Sequence, residues 1–200
     1  MANPDAPFGM RFARTLDGSP PATRRVYISA SYATALYIGD PVLWTATLAE
    51  KDATAKYPTI NRSAGTTGTL IRGVINSFEH LPGNLTLQYN PASTARWCEI
   101  TVATPMAVFH IRDDGDATPA AVWVGQNAVG AYTDAGSTIT GLSGFAIDGT
   151  TAPTTTQAFP IHILGLADIE DNELGDFAIW EVIANTCYNT TGLYLGVTAA

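Results

Sequence analysis

Short runs of alternating apolar and polar residues, separated by Gly, Pro, Asp and Asn, dominate this chain. RVYISA (25–30) sets Val26 and Ile28 against Tyr27 and Ser29, and LTLQY (85–89) sets Leu85, Leu87 and Tyr89 against Thr86 and Gln88. A period of two marks a half-buried strand, because successive side chains leave opposite faces of a pleated backbone. The same reading predicts two short strands within 35–48, folded around Gly39-Asp40-Pro41. Further strands are expected at 70–78, 96–103, 106–112, 137–148, 159–168 and 176–185. Gly73 falls inside one of them and is expected at a bulge or a close approach of backbones. DDGDATP (113–119) and IEDNELG (169–175) read as turns, 49–69 as a long surface loop or weak hairpin, and 120–132 as either strand or short helix. No amphipathic helix of three turns is discernible. The predicted fold is all-β: a compact antiparallel sandwich or barrel, jelly-roll-like.

The first 25 residues break this pattern. They hold Pro4, Pro7, Pro20 and Pro21 with Gly9 and Gly18, and proline lacks the N–H that a sheet ladder requires. Arg11, Arg14, Arg24 and Arg25 outnumber Asp5 and Asp17, so the segment is positive while the whole chain carries −8. Residues 1–25 are therefore expected to be an extended arm outside the core, with Phe8, Met10 and Phe12 as apolar anchors, and residues 26–200 a single β domain. An arm opposite in charge to its own body implies docking onto something else.

Composition narrows the function. At 200 residues and 46% hydrophobic the chain can bury one proper core. Charged residues make up only 14%, against about 25% in an average soluble domain, which fits a hydroxyl-rich surface or one covered by neighbouring subunits. No Lys or Arg follows Arg112, so residues 113–200 are purely acidic. Direct nucleic-acid binding needs clustered cations and is not expected. There is no apolar leader and no run of about 18 apolar residues, so neither secretion nor a membrane partner is expected. Cys98 lies in the apolar phase of RWCEITV and reads as a small buried hydrophobe; a disulfide with Cys187 is not readable from sequence.

The search for chemistry yields little. His80, His110 and His162 accompany no nucleophile motif, and GLSGF around Ser143 is not a nucleophile elbow, because Phe145 stands where the last glycine belongs. The acidic runs at 113–116 and 168–173 could attract a hard cation, but an EF-hand loop starting at Asp168 would place Glu173 where the turn glycine must be. No catalytic residue, cofactor or metal is expected. A small β-hydrolase using carboxylates such as Asp168 or Glu99 stays open as an alternative, since two carboxylates suffice for glycoside hydrolysis.

Several segments resemble the head decoration, or cement, proteins of tailed double-stranded DNA bacteriophages. They are APFGMRFARTLDGSP (6–20), Tyr37-Ile38-Gly39-Asp40-Pro41-Val42, NPASTAR (90–96), GLSG (141–144), ILGL (163–166) and DNELGD (171–176). The resemblance spans about residues 6–185, and leaves the tail from 186 and the loop at 49–69 without a counterpart. It implies a non-enzymatic structural protein of the virion, made in the host cytoplasm. On the outer capsid surface it would stabilise the joints between capsomers as a homotrimer, with the major capsid protein as partner. Phe8, Met10, Arg11, Phe12, Arg14, Arg24 and Arg25 would then form the capsid-binding arm. Two alternatives remain: a virion-displayed binding module, Ig-like or lectin-like, using Trp44 or Trp123, and a tail-tube or connector subunit.

Overall fold

The computed structural model describes residues 3–45, 58–116 and 119–187. Two five-stranded antiparallel sheets make up the body. In the first, β1 (Met10–Thr15) forms one edge, followed by β7 (Ala107–Arg112), β12 (Ile179–Ala184), β11 (Ile161–Leu166) and the short β8 (Asn127–Ala128). In the second, the order is β2 (Thr23–Ile28), β6 (Arg96–Val102), β5 (Gly73–Phe78), β3 (Pro41–Trp44) and β4 (Ile60–Arg62). A ribbon of β9 (Gly130–Tyr132) and β10 (Phe145–Ile147) joins the end of β7 through a bridge between Asp113 and Ile147. The expected all-β sandwich of antiparallel sheets is what the chain forms.

Period-two patterning explains how the layers meet. Met10, Phe109, Ile111, Ile163, Trp180 and Val182 point inward from the first sheet and meet Val74 and Ala103 of the second. The opposite face of the second sheet builds a separate core from Val26, Ile28, Val42, Ile60, Ile75, Cys98 and Ile100, closed by Leu36, Tyr32, Trp44 and Phe78. Strand β5 thus lies between two cores, with Val74 in one and Ile75 in the other. Gly73 makes its predicted close approach: a Cβ there would lie 2.7 Å from the Thr101 carbonyl oxygen. The register irregularity in β5 comes later, between Ile75 and Ser77.

Most predicted strands exist with shortened ends, but the two expected within 35–48 reduce to β3 alone, with Leu36 and Ile38 making only isolated bridges. Residues 120–132 resolve into a single 3-10 turn (Ala121–Trp123) followed by β8 and β9. The 137–148 strand is reduced to β10, because Ser137–Thr140 close a tight turn with Gly141 N–H donating to Ser137 O at 2.9 Å. Of the loop or weak hairpin expected at 49–69, residues 60–62 form β4, paired antiparallel with β3; its residues up to 57, like the tail from 188, lie outside the described residues.

Two expectations are corrected. LTLQY is not a strand: Leu85 is 69% exposed, and the loop it belongs to is held by the buried Arg96. Arg96 donates to the carbonyls of Glu79 (2.5 Å), Tyr89 (2.6 Å) and Leu87 (3.0 Å). With three carbonyls converging on one guanidinium, the loop wraps around Arg96 instead of running along a partner strand. The arm is the second correction. Residues 10–15 are a strand of the first sheet, β2 runs across the expected boundary at residue 25, and both are edges of their sheets. The prolines do fall outside the strands, at positions 4, 7, 20 and 21, as their missing N–H requires.

Candidate interaction surface

The N-terminal segment lies along one border of the sandwich and is tied down throughout. Asn3 caps the β11–β12 connection, donating to the carbonyls of Glu173 (2.8 Å) and Asp176 (3.0 Å) and accepting from Glu173 N–H. Asp5 pairs with Arg112, whose side chain is 2% exposed and also binds Asp134 at 2.6 Å. Met10 is 1% exposed in the main core, and Phe12 packs edge-on to Phe109 at 6.2 Å. Met10 and Phe12 therefore anchor the segment to its own body and are not free to enter a partner. Phe8 is half-buried, with the Arg11 guanidinium 5.8 Å above its ring.

The arginines stay at the surface. Arg11 and Arg14 flank the outer face of the first sheet, where Arg14 donates two hydrogen bonds to Glu181, the shorter at 2.8 Å. That bonding holds the Glu181 carboxyl below the usual range. His110 stands 3.7 Å from the same carboxylate, yet partial burial lowers its pKa and keeps it neutral. On the second sheet Arg24 lies over Trp44 at 5.1 Å. Arg25, on the opposite face of β2, lies over Trp97 at 4.5 Å and pairs with Glu79 at 2.8 Å. Trp97 also packs 5.0 Å from Tyr27 beside a groove of about 330 Å³ bordered by Ser77, Glu79 and Glu99. Sequence reading missed Trp97 and Glu79; the signal was the alternation of RWCEITV, which puts Trp97 and Glu99 opposite the buried Cys98.

Behind this border three distant segments meet, from within 6–20, 37–42 and 141–144. Gly9 has φ +72°, and a Cβ on it would lie 2.6 Å from both the Gly39 carbonyl oxygen and the Ser143 Cβ. Met10 N–H donates to Gly39 O at 2.9 Å, and Ile38 and Ser143 exchange backbone bonds with 141 and 38. Ser143 Oγ donates to Asp40 Oδ1 at 2.5 Å, while Tyr37 N–H donates to Asp40 Oδ2 at 2.9 Å. Asp40 is fully buried, and loss of hydration pushes its carboxyl up to about 6. Phe8-Gly9, Gly39-Asp40 and Gly141–Gly144 thus form one glycine-packed node.

Other residues singled out in the sequence have structural employment. His162 is half-buried with Nδ1 2.6 Å from Asn127 Oδ1, His80 is exposed, and Trp123 is buried against Trp180. Cys98 and Cys187 are buried free thiols, and burial pushes Cys98 up to about 12. Asp113 and Asp114 turn inward and accept backbone N–H groups from Gly115, Phe177, Asp116 and Gly149. Among the described residues no group of three His, Cys, Asp or Glu side chains is placed to hold a metal ion. Comparison with protein-family models, with curated proteins and with solved structures finds no match to this chain.

Proposed function

We propose that the protein is a structural component of a phage virion that binds the outer surface of the capsid and reinforces the joints between capsomers, as a homotrimer. The observation that carries this reading is the run of arginines along two edge strands. Arg11 and Arg14 on β1 and Arg24 and Arg25 on β2 are exposed, Arg14 and Arg25 beside their partners Glu181 and Glu79, on an otherwise acidic chain. Guanidinium groups are suited to carboxylates and carbonyls of a partner subunit, and an edge strand offers backbone groups for strand addition. The convergence of three of the six resemblance-bearing segments on one node adds support, because scattered turn motifs gain meaning when they build a common structural unit. Three copies acting together multiply modest single-site affinities.

The test uses expanded, undecorated heads of the encoding phage and the purified full-length protein. Wild type should saturate the heads and raise the temperature at which they rupture. Arg11→Glu with Arg24→Glu, both at exposed side chains, should lower occupancy at least tenfold with an unchanged melting curve. Failure of wild type to bind the heads overturns the reading; equal occupancy by the variant overturns the role of the arginine border.

A further inference from the structure

Three segments that meet at one end of the molecule contain no charged residue: 29–39, 81–95 and 135–147. They are joined by backbone bonds, with Leu36 and Asn90 exchanging two (2.9 and 2.8 Å), Ser93 N–H donating to Tyr32 O (2.8 Å) and Ile38 N–H to Gly141 O (2.8 Å). Tyr37 and Tyr89 stack in parallel at 5.3 Å between them. Gly141 packs on Gln88 and Gly136 on the Tyr37 ring, which brings the 135–141 turn against the 85–89 loop. Ile139 at the tip of that turn is 88% exposed, and Leu85 on the neighbouring loop is 69% exposed. Those are the two most exposed large hydrophobic side chains among the described residues. The charges at the rim are engaged: Arg96 on backbone carbonyls, Asp134 with Arg112, and Arg62 stacked 3.9 Å over Tyr132.

We infer that this uncharged end is the surface through which the protein binds a second copy of itself. Charge decides the occupant. Each copy carries −8, so contacts between identical chains are least opposed where neither side presents a charge. A basic or acidic partner would instead select the arginine border or the acidic half. Shape agrees. The face carries a projection, Ile139, and beside it a groove of about 370 Å³ whose lining combines Ile38, Phe78, Leu85 and Leu87 with His80 and the carbonyl-bound Arg96. A projection beside a recess on one face is self-complementary, so two copies meeting through that face can each seat the other's projection. Leu85 also fits here: the first apolar residue of LTLQY, unused by its own chain, is open to a neighbour.

This inference concerns self-association alone and does not rest on the capsid reading. Its test is the mass of the full-length protein in solution, by sedimentation across a concentration series, with melting curves as the control for folding. Wild type should associate. Leu85→Asp and Ile139→Asp should each weaken association at least tenfold, whereas Leu174→Asp, at an exposed apolar site on the acidic β11–β12 connection, should leave it unchanged. Amide exchange at 85–89 and 137–141 should slow as wild type is concentrated, which reports the contact even if a variant misfolds. A wild type that remains monomeric, or association and exchange indifferent to these positions, overturns the inference. Loss of head binding by a protein that still self-associates strikes the capsid reading alone.

Discussion

Met10–Thr15 and Leu85–Tyr89 exchange the roles their sequences advertise. The first is flanked by prolines and studded with arginines, yet it is a full strand with Met10 in the main core. The second alternates without fault, yet it is a loop with Leu85 in solvent. The difference lies in what stands beside each. Met10–Thr15 meets β7, with Phe12 against Phe109 and Arg14 bonded to Glu181 across the sheet. Leu87 and Tyr89 meet a buried guanidinium that takes their carbonyls. A strand is a relation between two segments, and local alternation describes only one of them.

The comparison can be broken most severely at Gly9. Gly9→Ala forces a side chain into the left-handed region and into the Gly39 carbonyl, and should cost about 3 kcal/mol or more in urea unfolding. A cost under 1 kcal/mol would mean that the segment is not docked through this node. Met10→Ala should cost about 2–5 kcal/mol as a core truncation; a free arm would show almost none. The node should also impose a pH dependence. Asp40 titrates near 6 in the fold against its ordinary 3.8, so its contribution favours the fold below about pH 4 and is lost as pH rises through about 6, a span worth about 3 kcal/mol. Asp40→Asn should flatten that part of the stability profile relative to wild type; parallel profiles would contradict the assignment.

For the loop, Arg96→Met removes three charge-assisted bonds and should cost about 2–3 kcal/mol. Amide exchange should quicken first in residues 80–90. The smallest effect is expected at Arg14→Ala, whose partly exposed ion pair should be worth no more than about 1 kcal/mol.

The class of the fold was legible because apolar alternation survives in nearly every strand of the two sheets. The interior was legible as well: Val26, Ile28, Cys98 and Ile100 face the core their phase assigns. What stayed hidden was long-range. The Gly9–Gly39–Ser143 node joins three distant segments, and nothing local to any of them names the other two. The surface was half legible. The arginines were identified, but not the rings beneath them, because Trp44 and Trp97 meet Arg24 and Arg25 only through strand pairing. The prolines mark the ends of β1 and β2, and a cluster of strand ends reads locally like the absence of strands.

The placement of β1 has a consequence for synthesis of the chain. It is made well before its partner: β7 begins only at Ala107, so at about 5–20 residues per second the ribosome needs roughly 5–20 s to deliver it. Throughout that interval Met10, Phe12 and the backbone between them emerge with nothing to pair with, a hazard for aggregation. The neighbouring arginines and prolines are the residue types that keep such a stretch soluble and unfit for mispairing. The composition that makes the segment look like a loose arm in the finished sequence describes it well for those seconds, before the sheet closes over it.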